Sequence, residues 1–190
     1  QASTGFSDPT AFELVNPEDG LISDLDSESS IGMEMGLRAK FSKNIEAKFT
    51  VYNTRVNSAI VQVVQENDAI VFNNVDGGLE MKGLENEIYW TVSEHLNLRA
   101  YGSLSLHQFG DSTAHVGNAL PGSPKTSGGV QFHSSYSWGA VSLDTRHIGE
   151  TSLNNDGSSV MDPYNVIDAS LSLKLPYDIN LEIGGRNLFN

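Results

Sequence analysis

The sequence predicts an all-β protein, an antiparallel meander of about eight strands. Three observations carry that expectation. Eight stretches alternate apolar and polar residues one for one, the connections between them alternate short and long, and no 3.6-residue pattern persists beyond a turn. The clearest stretch is Ile31 to Phe41. Ile31, Met33, Met35, Leu37, Ala39 and Phe41 fall on one face of a strand, and Gly32, Glu34, Gly36, Arg38 and Lys40 on the other.

The remaining elements follow in order. Over Ile45 to Asn53, Ile45, Ala47, Phe49 and Val51 oppose Glu46, Lys48, Thr50 and Tyr52. Leu84, Ile88, Trp90 and Val92 oppose Glu85, Glu87, Tyr89 and Thr91, with Asn86 interrupting the oily face. Leu96 to Leu106 sets Leu96, Leu98, Ala100, Gly102, Leu104 and Leu106 against Asn97, Arg99, Tyr101, Ser103, Ser105 and His107. Val130, Phe132 and Tyr136 mark a fifth strand, and Val141 and Leu143 a sixth against Ser142, Asp144 and Arg146. Ile167, Ala169, Leu171, Leu173 and Leu175 form the seventh, and Ile179, Leu181, Ile183 and Gly185 the eighth.

Ser42-Lys43-Asn44, Ser93-Glu94-His95, Ser137-Trp138-Gly139 and Pro176-Tyr177-Asp178 read as tight hairpin turns. The intervening connections, Asn57 to Gly83, Gln108 to Lys125 and Gly149 to Asn165, are long. Short turns at one rim and long loops at the other are the pattern of outer-membrane barrels, whose oily face meets lipid. Trp90, Tyr136, Trp138 and Tyr177 lie near the short-turn ends, where an interfacial aromatic girdle sits. Two alternatives remain on this reading: a soluble β-sandwich binding module with the oily face against a second sheet, and a self-contained eight-stranded barrel serving as anchor or adhesin.

Composition narrows the functions. A net charge of −13 argues against a nucleic-acid partner, because phosphate binding requires clustered Lys and Arg. The absence of Cys excludes disulfides, thiolate metal sites and Cys nucleophiles. The chain starts at Gln1 without a signal-peptide pattern, so it is expected to be a piece of a processed or larger protein. His95, His107, His115, His133 and His147 have no spacing that aims two imidazoles at one ion, so no metal site is expected. Asp24, Asp26 and Glu28 alternate like calcium-loop ligands but lack the turn glycine and full ligand set. They read as an acidic external loop loosely holding divalent ions. No Gly-x-Ser-x-Gly elbow exists, Gly77-Gly78 and Gly128-Gly129 precede no helix, and no enzyme activity or cofactor is expected.

The local wording resembles the C-terminal part of the barrel of TonB-dependent outer-membrane receptors. Thr4-Gly5-Phe6-Ser7-Asp8-Pro9-Thr10-Ala11-Phe12-Glu13-Leu14 is similar to that family's Gly-Phe-x-x-Pro-Thr-x-x-Glu-Leu segment. Leu25 to Ser30 followed by Met33-Glu34-Met35-Gly36-Leu37-Arg38 resembles its Leu-x-Pro-Glu-x-Ser and Tyr-Glu-Leu-Gly stretch, with Ser27 in place of the proline. Phe72-Asn73-Asn74-Val75-Asp76, Lys82 to Glu87, Leu120-Pro121-Gly122-Ser123-Pro124-Lys125 and Gly185-Arg186-Asn187-Leu188-Phe189-Asn190 follow in the family's order.

The resemblance implies an arc of a 22-stranded outer-membrane barrel over residues 1–190, with the plug domain, earlier strands and final strand absent. Gln1 to Gly5 is then the end of an earlier strand and Phe6 to Asp26 an external loop. The implied function is import of a metal chelate, a ferric siderophore foremost. The implied partners are that chelate, outer-membrane lipid and lipopolysaccharide, and a plug domain and the TonB complex acting through the missing N-terminal part. Ligand contacts in such receptors come from loops, which makes Asn73, Asn74, His115, Asn118, Asn154 and Asp156 candidates by loop position.

Overall fold

Nine strands, each hydrogen-bonded antiparallel to its neighbour, make one open sheet in the computed structural model. The structure describes residues 1–15, 20, 24–64, 70–75, 77–111 and 115–189. In chain order the elements are β1 (Ala2–Ser7), α1 (Ala11–Leu14), β2 (Glu28–Lys40), β3 (Ile45–Asn57), β4 (Ile60–Val64), β5 (Ile70–Asn74) and β6 (Leu79–Ser93). Then come β7 (Leu96–Phe109), β8 (Thr126–Tyr136), β9 (Gly139–Ile148), β10 (Thr151–Ser152), β11 (Val160–Met161), β12 (Tyr164–Leu175) and β13 (Ile179–Gly185). The sheet order is β1-β2-β3-β6-β7-β8-β9-β12-β13, while β4-β5 and β10-β11 are small hairpins within two of the long connections.

All eight expected strands are present, and β1 adds the earlier strand end expected at Gln1 to Gly5. The strands run further than their alternation. The connections expected over Asn57–Gly83 and Gly149–Asn165 hold β4, β5, the start of β6, β10, β11 and the start of β12. The reason is physical: alternation reports the apolar band, whereas backbone pairing continues beyond it through polar pairs such as Ser29 with Asn57. Of the family-like residues, Asp76 and Asn190 lie outside the described residues, as does part of the Phe6–Asp26 loop.

The register puts the apolar side chains on one face in continuous rows. Met35, Val51, Leu84 and Leu104 lie side by side across four strands, and Ile88, Ala100 and Val130 form a second row across β6, β7 and β8. Nothing among the described residues covers this face. Met35 is 73% exposed and Leu104 57%, and the buried hydrophobic residues are Ala47, Ala59, Val71, Val75 and Phe109. Four of those five belong to the long-loop end rather than to the middle of the sheet. A sandwich requires its core between two sheets; here the second layer does not exist among the described residues.

The opposite face is polar and tightly bonded. Arg38 pairs with Glu46 at 2.7 Å and Lys48 with Glu87 at 3.2 Å, and Glu87 also pairs with Arg99. From Arg99 the chain of bonds continues to Gln131 Oε1 at 3.0 Å, and Gln131 Nε2 donates to Asp144 Oδ2 at 2.6 Å. On the next strand pair Arg146 donates to Asp168 at 2.6 Å. Two tyrosines lie over glycines of the adjacent strand, Tyr52 over Gly83 and Tyr101 over Gly129. A Cβ at either glycine would collide with the ring above it, so glycine permits the flat tyrosine to cover the wall.

The ends are equally specified. In the Pro176-Tyr177-Asp178 turn, Tyr177 and Asp178 take φ values of 65° and 58°, the left-handed geometry of tight hairpins. Asn187, at φ 53°, donates its N–H to Asp168 Oδ1 at 2.8 Å, and Leu188 N–H reaches Ile167 O at 2.9 Å. The Asn-Leu-Phe segment therefore folds back on β12.

Leu171 sits on the apolar face between Val141 and Ile183, and Ser170 on the polar face between Ser142 and Gly184. Leu171→Arg is expected to block assembly of the protein into outer membranes, at a cost of about 2–4 kcal/mol for a mid-bilayer cation. Ser170→Arg is expected to assemble. Heat-modifiable mobility of the membrane-extracted protein reads both, and equal effects would contradict the facing.

Candidate functional site

The long-loop end gathers the expected ligand-contact candidates. There, α1 opens with a capping box: Glu13 N–H donates to Thr10 Oγ1 at 3.3 Å and Thr10 N–H to Glu13 Oε2 at 2.7 Å. The helix lays Phe12 edge-on against Phe72 of β5, with ring centroids 5.6 Å apart. Asn74 ties the same region together. Its Nδ2 donates to Asp26 O at 3.0 Å and to Ser58 O at 2.6 Å, while its Oδ1 accepts from Asp26 N–H at 2.8 Å. Glu28 Oε1 accepts from Ile60 N–H at 2.7 Å.

A second set of bonds joins the other connections. Phe109 is 1% exposed, its ring centroid 5.4 Å from that of His115, and its N–H donates to Asn118 O at 3.0 Å. Gly77, at φ 79°, lies so close to the Asp111 backbone that a Cβ there would reach 2.7 Å. Asn118 Nδ2 donates to Asn155 O at 3.0 Å, and Asn155 Nδ2 donates to Gln62 O at 3.1 Å. Gly122 N–H donates to Ser152 O at 2.9 Å, and Lys125 pairs with Glu150 at 2.9 Å.

These bonds enclose an open cleft of about 480 Å³ lined by Gln62, Val63, His115, Pro121, Leu153, Asn154, Asn155 and Asp156. Its one carboxylate among the described residues is Asp156, which accepts from Ser158 N–H at 3.0 Å and Ser158 Oγ at 2.8 Å. Those two donors, helped by the nearby His115, hold the Asp156 carboxyl below its ordinary value, so it is ionised at neutral pH. The cleft offers an anion, amides and a ring in an exposed mouth: polar capture chemistry without a nucleophile.

The six candidates separate in the structure. His115, Asn154 and Asp156 line the cleft, and Asn118 stands behind it through Asn155. Asn154 is engaged by its own turn, donating to Ser158 Oγ at 2.9 Å and accepting from Ser159 N–H at 3.1 Å. Asn74 is a structural clamp, and Asn73 is an exposed residue of β5 opposite Val61. Sequence reasoning missed Gln62, Val63, Asn155, Pro121 and Leu153. Asn155 adjoins the candidates Asn154 and Asp156, but its reach to Gln62, 93 residues away, has no local signal. The Thr10-x-x-Glu13 capping box is a local signal for α1.

The polar wall reaches this end through His107. Tyr52 Oη and His107 Nε2 are 2.8 Å apart, and His107 Nδ1 and Ser123 Oγ also 2.8 Å, which pins the Leu120–Lys125 segment to the sheet.

An apolar outer band, a charged inner wall, short turns at one rim and tied loops at the other define an arc of a transmembrane β-barrel. The family model "TonB dependent receptor-like, beta-barrel" matches residues 1–188, and the chain belongs to that family, one of outer-membrane transport receptors rather than enzymes. Among solved structures, the ferric yersiniabactin uptake receptor FyuA from Yersinia pestis is similar with a TM-score of 0.78 at 20% identity, over 99% of this chain and 29% of that one. The copper transporter OprC gives 0.79 at 15% identity, over 99% of this chain and 30% of its own. A mutant ferric enterobactin receptor from Pseudomonas aeruginosa in complex with enterobactin gives 0.77 at 14%, over 100% and 32%. The chain thus spans about a third or less of the length of these proteins. Among curated protein sequences, none matches.

Asn74→Ala removes an amide that makes three bonds, each worth about 1 kcal/mol. Hydrogen exchange is expected to quicken at the backbone of Asp26 and across residues 58–75. Asn73→Ala is expected to leave exchange unchanged, and a matching acceleration there would contradict the clamp.

Proposed function

We propose that this chain supplies part of the wall and the external loops of an outer-membrane receptor that imports a metal chelate, a ferric siderophore foremost. The observation that carries the reading is the pairing of an uncovered apolar face with loops tied into one ordered rim around a cleft. Lipid covers the apolar face, and lipopolysaccharide surrounds the upper rim. There the outward rows turn polar, with Arg55 facing Glu80 across β3 and β6 and Lys82 beside them. Capture is steric and polar complementarity at the loop tips of a rigid scaffold.

The barrel wall also needs a filling. Glu34 and Glu85 face inward with no ion pair among the described residues, and Asp144 Oδ1 is buried without a hydrogen-bond partner. A plug domain offering donors satisfies these groups, and coupling to the TonB complex runs through that plug. The residues 1–190 are then one barrel portion of a longer receptor, as their coverage of 29–32% of the similar structures supports.

The test is growth and iron-labelled chelate uptake in a host strain lacking its own receptors, with the full-length protein supplied under iron limitation. A variant deleting residues 153–158, which removes Asp156 and three further cleft residues, is expected to assemble normally and lose chelate binding. Full binding by the assembled variant would move recognition away from this cleft.

A further inference from the structure

The charge of this chain is segregated. Of its 24 acidic and 11 basic side chains, the four long stretches 8–27, 58–78, 110–125 and 149–163 hold 13 acids and one base. The rest of the chain holds the other 11 acids and 10 bases, so the sheet is close to neutral and the four long stretches carry nearly all of the −13. The lone basic residue of those stretches, Lys125, is paired with Glu150 at 2.9 Å. The two cations at the upper strand ends are engaged as well, Arg55 with Asp111 at 3.6 Å and Lys82 with Glu80 at 2.8 Å. Among the described residues no Lys or Arg lines the cleft, and its one carboxylate is Asp156.

Building on the uptake reading above, we infer that the cargo reaching this cleft is a cationic metal chelate, one whose ligand carries a free ammonium or leaves the complex with net positive charge. A low-dielectric rim of one sign focuses its field over the mouth and raises the local concentration of oppositely charged solutes, speeding encounter by about 10- to 1,000-fold. The same field repels a polyanionic chelate such as a ferric tris-catecholate. Such a chelate needs unpaired Arg or Lys to meet its oxygens, and the described loop residues offer none. Asp156, held ionised by Ser158, supplies the counter-charge inside the cleft, beside the amides of Asn154 and Asn155. Selection here is by charge first, with shape acting once the chelate has arrived.

The experiment uses the full-length protein in outer-membrane vesicles and three iron-labelled probes. They are a ferric trihydroxamate bearing one free ammonium, the same complex with that amine acetylated, and a ferric tris-catecholate. The cationic probe is expected to bind about tenfold or more tightly than its acetylated twin at low salt, with the ratio falling toward one as salt shortens the Debye length to about 3 Å. The double variant Asp24→Asn/Asp162→Asn removes two rim carboxylates that make no hydrogen bond or ion pair among the described residues. It is expected to shrink the ratio about twofold without changing binding of the neutral probe. Equal or tighter binding of the tris-catecholate, or a ratio indifferent to salt, overturns the charge inference and leaves the uptake reading standing. Binding of none of the three overturns both.

Discussion

The backbone hydrogen-bond ladder is the interaction on which everything else rests. A sheet whose apolar face has no second layer gains nothing from a hydrophobic core, so cohesion falls to pairing between strands. In a bilayer that pairing is obligatory, because no water is present to satisfy an orphaned N–H or C=O. The pairing between β2 and β3 runs unbroken from Ser29–Asn57 to Lys40–Glu46, and that between β3 and β6 from Ile45–Trp90 to Val56–Leu79. Only near Thr91 and Ser93, at the short-turn rim, does the register slip. The polar wall reinforces the same direction: its ion pairs and amide bonds run across strands, from Lys48 through Glu87, Arg99 and Gln131 to Asp144.

The two rims solve different problems. At the short-turn rim, Tyr136 stacks on Trp138 with centroids 5.5 Å apart and planes 6° from parallel, and on His95 at 4.8 Å. His95 Nδ1–H donates to Ser135 O at 3.0 Å, fixing the pile to the adjacent turn. Amphipathic rings at that depth suit the boundary between hydrocarbon and headgroup. The long-loop rim instead carries the molecule's small core, with Ala59, Val71, Val75 and Phe109 buried beneath bonds that tie separate connections. Packed rings mark one rim; the loops' own packing orders the other.

Much of the fold was legible because strand pairing and facing are written at period two. Met35, Leu37, Leu104 and Leu171 announce their face by neighbours alone. The extent of the strands was not legible, since Ser29, Asn57 and Gln108 pair without belonging to any apolar row. The site was half-legible for the same reason. Loop position led to His115, Asn154 and Asp156, which the fold brings to one cleft, yet Asn74 and Asn73, adjacent and identical in type, differ in their bonding, with Asn74 tied to partners 16 and 48 residues away. Charge segregation, by contrast, needs only the strand map laid over the sequence.

The measurement that tests the central claim most directly is collision accessibility of spin labels in proteoliposomes. These 190 residues hold no Cys, so single cysteines at Met35, Leu104 and Leu171, and at Gly36, Ser103 and Ser170, are introduced into full-length protein freed of any other thiol. The account predicts that the first three meet lipid-soluble oxygen and are shielded from a water-soluble nickel chelate, with the second three showing the reverse. Labels at Met35, Leu104 and Leu171 that collide freely with the nickel chelate would contradict it, and the apolar face would require a protein partner instead of a bilayer.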